Sequence, residues 1–196
     1  SMKEREFDAG DGELIAAFVR GDEKAFEQLY GRYKRQLYGF LNNLITDNPA
    51  EVDEVFEETW LRVLDKLPGY RDEGRFSAWL FRIGRNIFID RLRKNRNAFA
   101  ALNLDAEEAP ALPGPASLEP DQELELGEVG SVIAEAVGKL PVEQREVFLL
   151  RQQELAFKEI AEIQGCSINT VLGRMQYAMK SLRRLILEID RGGIVT

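Results

Sequence analysis

The stretch from Phe157 to Arg184 constrains the fold of this chain most strongly, because it contains two helix-forming segments separated by one short turn. The first segment ends at Gly165, since glycine closes a helix in the left-handed conformation at little steric cost. Ser167 can cap the next helix by accepting a hydrogen bond from a free backbone N–H. Ala161 is small where the two helices would cross. The pattern predicts a helix-turn-helix.

The second helix of this motif is polar along much of its length, which suits a nucleic acid. The side chains expected to fill the space between the two helices are Ile160, Ile163, Ile168, Val171 and Met175. In DNA-binding proteins the second helix of such a motif enters the major groove. The side chains predicted to contact DNA are Ser167, Asn169, Thr170, Arg174, Gln176 and Lys180. A plain helical hairpin in a bundle is the alternative, because short turns with glycine are common.

The composition excludes several kinds of site. The chain has 196 residues, no histidine and one cysteine, Cys166. An internal disulfide, a Cys/His zinc site and a His-dependent catalytic triad are therefore impossible. No apolar run approaches the roughly 20 residues of a membrane-spanning helix. Because a lone thiol fits a reducing compartment, we expect a cytoplasmic protein without a membrane span.

The charge is distributed unevenly. The net charge is −8, and the segment 97–130 carries eight acidic residues and no basic ones. The segment 82–96 carries six basic residues and one acidic residue. The acidic segment is rich in alanine and proline and lacks periodicity, so residues 98–120 are predicted to form a flexible linker. We expect its carboxylates to compete with DNA phosphates for the basic side chains of the chain.

Apolar residues recur at helical spacing on both sides of this linker, and no strand pattern is present. We predict an all-α fold of two small helical domains, at residues 8–97 and 121–191, with the helix-turn-helix in the second. Asp11 is expected to cap the first helix, and Pro49 to take the first position of the third.

The predicted fourth helix, from about Phe76 to Lys94, places an apolar face beside a basic one. The apolar face carries Phe76, Trp79, Leu80, Ile83 and Ile87. Within an arc of about 100° on another face lie Arg82, Arg85, Asn86, Arg93 and Arg96. A nucleic-acid strand could track such a stripe and stack on the aromatic side chains. A solvated face with its stems packed on the core is an equally open interpretation, and Trp79 could belong to that core.

The chain resembles the bacterial sigma factors of the extracytoplasmic-function class, in the sigma-70 family, over nearly its whole length apart from the linker. In the first half the matching strings are GDEKAFEQLYGRYKRQLYGFL, EVFEETWLRVLDKL and FSAWLFRIGRNIFIDRLR. In the second half they are LPVEQREVFLLR and FKEIAEIQGCSINTV. The resemblance implies a promoter-specificity subunit whose partners are core RNA polymerase, promoter DNA and an anti-sigma factor. It implies no catalytic residue, metal, cofactor or small-molecule substrate.

The resemblance also implies roles for individual residues. The first domain corresponds to region two of the family, and the second to region four, which reads the upstream promoter box. The surface that grips the largest polymerase subunit corresponds to Asp53, Glu54, Val55, Phe56, Glu57, Glu58 and Leu61. The element that opens the downstream box corresponds to Tyr70, Arg71, Asp72, Arg75, Phe76, Trp79, Arg82, Arg85, Asn86 and Arg93. Leu172 and Gly173 depart from the Lys and small polar residue usual in the recognition helix.

Two other functions stay open at this stage. A transcription regulator could bind an operator through the helix-turn-helix without docking on polymerase. An enzyme could hold a metal pair with Asp53, Glu54, Glu57 and Glu58, although carboxylate sites in helical bundles usually draw acids from several helices and include histidine. Four acids on one helix are more often a solvated face.

Overall fold

The computed structural model describes residues 9–71, 73–102 and 128–192. Within these ranges the regular secondary structure consists of α-helices and one 3-10 turn. The first domain contains α1 (Asp11–Val19), α2 (Glu23–Leu44), α3 (Pro49–Lys66), a 3-10 turn (Leu67–Gly69) and α4 (Phe76–Leu102). The second contains α5 (Glu128–Gly138), α6 (Val142–Gln152), α7 (Phe157–Gln164) and α8 (Ile168–Gly192). The predicted all-α fold is confirmed.

The core of the first domain is built on the apolar residues that recur at helical spacing along α2. Leu37, Leu41 and Leu44 on this helix have no exposed surface, and they pack in one cluster with Val55 of α3 and Leu80 of α4. Burying a leucine or valine side chain stabilises the folded state by about 1.5–3 kcal/mol relative to exposure. The spacing of three and four residues along α2 therefore fixes which face of the helix meets its neighbours.

Gly84 allows α4 to approach α2 and α3 closely. A Cβ at this position would lie 3.3 Å from Leu37 Cδ1 and 3.3 Å from Thr59 Oγ1. Thr59 is fully buried, and its hydroxyl donates to the Val55 carbonyl at 2.6 Å, which satisfies the polar group within its own helix. No pattern in the sequence indicates this close approach.

The helix-turn-helix forms as predicted. Gly165 has φ 65° and ends α7 in the left-handed conformation. Ser167 Oγ accepts from the Thr170 N–H at 3.1 Å and so caps α8. Ile160, Ile163 and Val171 are buried between the helices. Ile168 was expected to join them, but it is 44% exposed, because the buried seam of α8 begins one turn later at Val171.

Two helix ends differ from the prediction. Gly10, and not Asp11, occupies the N-cap of α1, and the Asp11 carboxylate instead accepts from Arg32 and Tyr33 of α2. Burial, followed by this hydrogen bond, raises the pKa of Tyr33 above its usual value of 10.0.

Helix α4 continues to Leu102 and does not end near Lys94. Residues 95–102 contain alanine and leucine but neither glycine nor proline, so nothing in this segment stops the helix. The predicted linker therefore overlaps α4 at residues 98–102. The rest of that linker, and residues 121–127 of the predicted second domain, lie outside the described residues.

The two domains pack directly on one another, with α2 against α5 and α6, and α4 against α7. At the end of α2, the Arg145 guanidinium of α6 donates to the Leu44 carbonyl at 2.8 Å and to Thr46 Oγ1 at 3.2 Å. It also donates to the carbonyls of Gly138 and Leu140, at 2.6 and 2.9 Å. Burial lowers the pKa of Arg145 from its usual value. Arg145 thus ties the second domain to the first.

Candidate functional site

A groove lies where the loop before α4 and the start of α4 meet α7. Its volume is about 400 Å³. From the first domain it is lined by Tyr70, Arg71, Arg75, Trp79 and Arg82. From α7 it is lined by Glu159, Glu162 and Ile163. Half of the residues predicted to open the downstream box therefore share one groove, and acids of the second domain form its opposite wall.

Aromatic rings form one end of this groove. The ring centroids of Tyr70 and Trp79 are 4.5 Å apart, and Phe76 lies 5.7 Å from Trp79 and 5.8 Å from Tyr70. Trp79 is half-buried, so part of its ring faces the groove and part packs on the core. Phe76 is only 1% exposed. Its prediction as a direct DNA contact is therefore wrong, because its ring supports Trp79 from within the core.

Arg75 reaches across the groove to α7. Its guanidinium forms ion pairs with Glu162 at 2.7 Å and with Glu159 at 3.4 Å. The hydrogen bond to Glu162 is the main reason that the pKa of Arg75 is raised. Exposed ion pairs of this kind contribute little to folding stability. Their main effect is that the Arg75 guanidinium is already bound to carboxylates.

Arg85 makes the second crossing between the domains. Its Nε donates to Glu146 Oε1 at 3.1 Å, and its second terminal nitrogen donates to Glu146 Oε2 at 3.3 Å. Glu146 has no exposed surface, and the Arg85 side chain is 15% exposed. Arg85 also contacts the Asn86 amide oxygen at 3.4 Å and the Ile163 carbonyl at 3.5 Å. A bidentate pair at this depth removes Arg85 from solvent.

The Glu146 carboxylate is also connected, through Gln164, to α8, the second helix of the helix-turn-helix. Gln164 donates to Glu146 Oε2 at 2.8 Å and to the Glu143 carbonyl at 3.1 Å. Arg174 of α8 donates to Gln164 Oε1 at 2.8 Å and approaches Cys166 Sγ at 3.6 Å. The guanidinium predicted to read a base is thus folded back over the turn of the helix-turn-helix.

The remaining predicted DNA contacts are mostly open to solvent. Exposed positions are Arg71, Arg82, Arg93, Ser167, Asn169, Thr170, Gln176 and Lys180. Asn86 is half-buried beside Arg85, and Asp72 lies outside the described residues. Ser167 is occupied as the cap of α8, and its hydroxyl also lies 2.9 Å from Thr170 Oγ1. The exposed cations and amides remain available for phosphates and bases.

Helix α3 carries the surface predicted to bind polymerase. Leu61 is 66% exposed, and Glu57 is also exposed. Val55 is fully buried and Phe56 packs in an aromatic cluster, with its centroid 5.4 Å from that of Tyr38. The prediction of Val55 as a polymerase contact is therefore wrong, since the side chain points into the domain core.

The acids of α3 are organised by a cation from α4. Arg91 pairs with Glu54 at 2.5 Å and with Glu58 at 2.9 Å, and Arg62 pairs with Glu58 at 2.6 Å. The hydrogen bond from Arg91 is the leading cause that lowers the pKa of Glu58.

Asp53 accepts from the Tyr38 hydroxyl at 2.9 Å. Within the described part of the chain, no three His, Cys, Asp or Glu side chains converge in a way that could hold a metal ion. The described helices also include none that is both long enough and apolar enough to cross a membrane.

Sequence reasoning missed Arg91, Glu146, Glu159 and Glu162. Arg91, Glu159 and Glu162 are not buried positions of their helices, so periodicity marks them only as polar. Glu146 differs, because it lies four residues after Val142 and four before Leu150, on the apolar side of α6. That spacing is a signal of burial, although it does not identify the partner Arg85, which lies 61 positions away.

Each of the two domains matches a model of a known protein family. A family model described as "Sigma-70 region 2" matches residues 29–98, and one described as "Sigma-70, region 4" matches residues 131–182. The chain is 30% identical over 183 residues to the ECF RNA polymerase sigma factor SigM of Mycobacterium tuberculosis. That match covers 93% of this chain and 87% of the relative.

Two solved structures are similar over both domains. One is CnrH in complex with the cytosolic domain of CnrY, at 27% identity and a TM-score of 0.62, covering 92% of this chain and 98% of that one. The other is the sigma factor RpoE in complex with the anti-sigma factor NepR from Bartonella quintana. It is 23% identical with a TM-score of 0.65, and covers 85% of this chain and 99% of that one. At this level of identity, the similarity to the RpoE structure supports the fold alone.

Proposed function

The chain belongs to the extracytoplasmic-function sigma factors of the sigma-70 family, and we propose that it binds core RNA polymerase and directs it to promoters. The observation that supports this proposal is the presence in one chain of two different elements suited to bind DNA. One is the aromatic and basic groove at the start of α4, and the other is the capped helix-turn-helix of α7 and α8. An operator-binding regulator would need only the second.

We assign polymerase docking to the exposed side of α3. Leu61 supplies an apolar contact there, and Glu57 supplies a charge. Arg91 holds Glu54 and Glu58 in place, so this face is a rigid acidic surface with an apolar centre. Such a surface suits a partner helix with basic residues around an apolar strip.

We assign promoter opening to the groove between the loop and α4. Unstacking a base costs a few kcal/mol, and stacking on an aromatic side chain returns about 1–3 kcal/mol per base. Tyr70 and Trp79 provide that aromatic surface, while Arg82 and Arg93 are exposed along α4 for phosphates. The proposed role of the element is to trap an already separated strand.

We assign upstream-box recognition to the exposed side chains of α8. Asn169 and Gln176 can each pair bidentately with adenine, and Lys180 can contact a phosphate. Phosphodiester chemistry stays with the polymerase in this proposal, and the chain itself is not an enzyme.

We also propose that an anti-sigma factor controls this chain, because the similar chain CnrH is held in a complex with the cytosolic domain of another protein, CnrY. Affinity purification of the chain from its own cells tests this proposal. The expected result is a bound protein that, once purified, blocks transcription by the reconstituted enzyme. Transcription that is insensitive to every co-purifying protein contradicts it.

The proposed function is tested by adding the purified chain to core RNA polymerase and running transcription on genomic fragments, followed by mapping of the start sites. We expect defined start sites that require both components. Co-elution with core enzyme separates this function from that of an operator-binding regulator. A chain that binds DNA but neither co-elutes with core enzyme nor produces start sites contradicts the proposal.

A further inference from the structure

We infer that Leu172 of α8 determines specificity for one base: its side chain packs on the C5-methyl group of a thymine in the upstream box. This inference rests on the proposed function of α8 in reading that box. Two observations support it. Leu172 is an exposed apolar side chain beside polar ones, and the next residue, Gly173, leaves open space on the same helix.

Leu172 lies at the edge of the exposed polar face of α8. Successive residues of an α-helix are about 100° apart, so Leu172 stands about 40° from Gln176 and about 60° from Asn169 around the helix axis. Both of these polar side chains are exposed. The buried seam, which contains Val171 and Ala178, lies on another side of α8. Because the N-terminal residues of such a helix contact base edges, Leu172 in the second turn is placed to reach a base.

Packing of the domain does not require a leucine at this position. Leu172 is 39% exposed, whereas Val171 and Ala178 have no exposed surface and form the seam. Single exposed leucines are common on protein surfaces, but this one stands beside two amide side chains of the kind that pair with adenine. Truncation of Leu172 should leave the domain folded, so its effect on DNA binding can be measured.

The chemistry of the leucine side chain limits which group on DNA it can recognise. It has no hydrogen-bond donor or acceptor, so it can bond neither a phosphate nor the polar edge of a base. The apolar group that base pairs present in the major groove is the C5-methyl of thymine. Removing one methyl-sized group from water favours binding by about fourfold. Leu172 therefore favours thymine over cytosine, which carries a hydrogen atom at that position.

Gly173 favours a close approach of α8 to DNA at the same place. It lies about 40° from Asn169 and about 20° from Lys180, near the middle of the exposed face. Glycine is unfavourable within a helix. Within the described part of the chain, a Cβ at 173 would meet nothing within 4 Å, so internal packing does not require this glycine. Since a missing Cβ lets another backbone come nearer, Gly173 brings the Leu172 side chain within reach of a base.

The contact is tested by removing single methyl groups from the promoter. Mapped start sites locate the upstream box, and each thymine on either strand of the box is replaced singly by deoxyuridine, which lacks only the C5-methyl. Promoter binding by the chain together with core polymerase is then measured on each template. With the wild type we expect one position at which deoxyuridine weakens binding by about fourfold. With Leu172→Ala this loss should disappear, because the partner of the methyl group is gone.

Matched variants separate this contact from a general effect on the helix. Leu172→Met keeps an apolar side chain of similar reach and should retain the dependence on the methyl group. Leu187→Ala removes an exposed leucine about 22 Å farther along α8, and it should retain that dependence as well. Gly173→Ala should weaken promoter binding although it makes the helix more favourable. Circular dichroism verifies that each variant keeps its helices.

Several results overturn the inference. They are an upstream box without A·T pairs, no loss at any thymine, an equal loss in the wild type and in Leu172→Ala, or disappearance of the loss in Leu187→Ala. Promoter binding by Gly173→Ala that equals the wild type also overturns it. All of these results leave the proposed function intact, because start sites still form with core enzyme. Absence of start sites refutes the proposed function, and the inference fails with it.

Discussion

Arg174 in α8 donates a hydrogen bond to Gln164 Oε1 at 2.8 Å, so the first cation of α8 is held by the last residue of α7. Gln164 in turn binds Glu146, the buried partner of Arg85. The two arginines predicted to contact separate promoter boxes are thus connected through two side chains of the second domain.

Arg174→Ala should lower transcription from the cognate promoter and leave binding to core enzyme intact. If Arg174 swings out to read a guanine, its removal relaxes discrimination at one base pair by about 1–3 kcal/mol. The measurement is transcription from a set of promoters substituted singly through the upstream box. A uniform loss across the set, accompanied by a lower melting temperature, would show that Arg174 acts through the turn and does not read a base.

Leu61→Arg should weaken binding to core polymerase without affecting the fold, because the side chain is 66% exposed. Val19→Arg is the matched control, since Val19 is an apolar residue of α1 that is 49% exposed. Binding of labelled chains to core enzyme by fluorescence anisotropy provides the comparison. Equal affinities of the two variants for core enzyme would show that Leu61 of α3 is not part of the docking surface.

Glu58 should make folding stability depend on pH under acidic conditions. Its pKa is lowered below 4.5 in the folded state by the hydrogen bond from Arg91. A lowered folded pKa means that this stabilisation is present above the unfolded pKa and is lost as the pH falls through the folded value. Urea unfolding between pH 6 and pH 3 should therefore show a smaller decline for Glu58→Gln than for the wild type. Parallel declines would mean that the ion pair contributes nothing measurable.

Gly173→Ala should stabilise the chain by up to about 1 kcal/mol, because glycine within a helix is less favourable than alanine. A Cβ at 173 meets nothing within 4 Å, so the substitution introduces no clash. Gly84→Ala is the contrasting variant, because its Cβ would lie 3.3 Å from Leu37 Cδ1 and Thr59 Oγ1. Urea denaturation should rank Gly173→Ala above the wild type and Gly84→Ala below it. The reverse order would contradict the packing described at α4.

Local signals predicted the parts of the fold that depend on neighbouring residues. Gly165 and Ser167 each determine a helix end through their own backbone or side chain, and both act as the sequence indicates. The apolar spacing of α2 likewise identifies its buried face. Helix α4 extends beyond the end predicted near Lys94, because neither glycine nor proline occurs from residue 95 to Leu102.

The contacts between the domains could not be predicted, since they join positions far apart in sequence. Arg75 meets Glu162 across 87 positions, and Arg145 meets Leu44 across 101. The sequence pointed to the acids of the linker as competitors for DNA, and those acids, from Asp105 to Glu119, lie outside the described residues. Among the residues that the structure describes, acids of α6 and α7 hold the cations. That assignment needs the tertiary arrangement, because the sequence does not indicate which cations meet these acids.

Initiation by reconstituted polymerase on duplex and on pre-opened templates tests the central claim most directly. Arg82 is exposed at the groove, so Arg82→Ala preserves the core, and Arg20→Ala removes an exposed arginine elsewhere as the control. We predict that Arg82→Ala lowers initiation from duplex promoter by about tenfold, as expected for one charge-assisted hydrogen bond of about 1.5 kcal/mol. Initiation should recover when the downstream box is supplied already unpaired. Equal activity of Arg82→Ala and Arg20→Ala on the duplex, or an equal loss on both templates, would contradict a role of this groove in promoter opening.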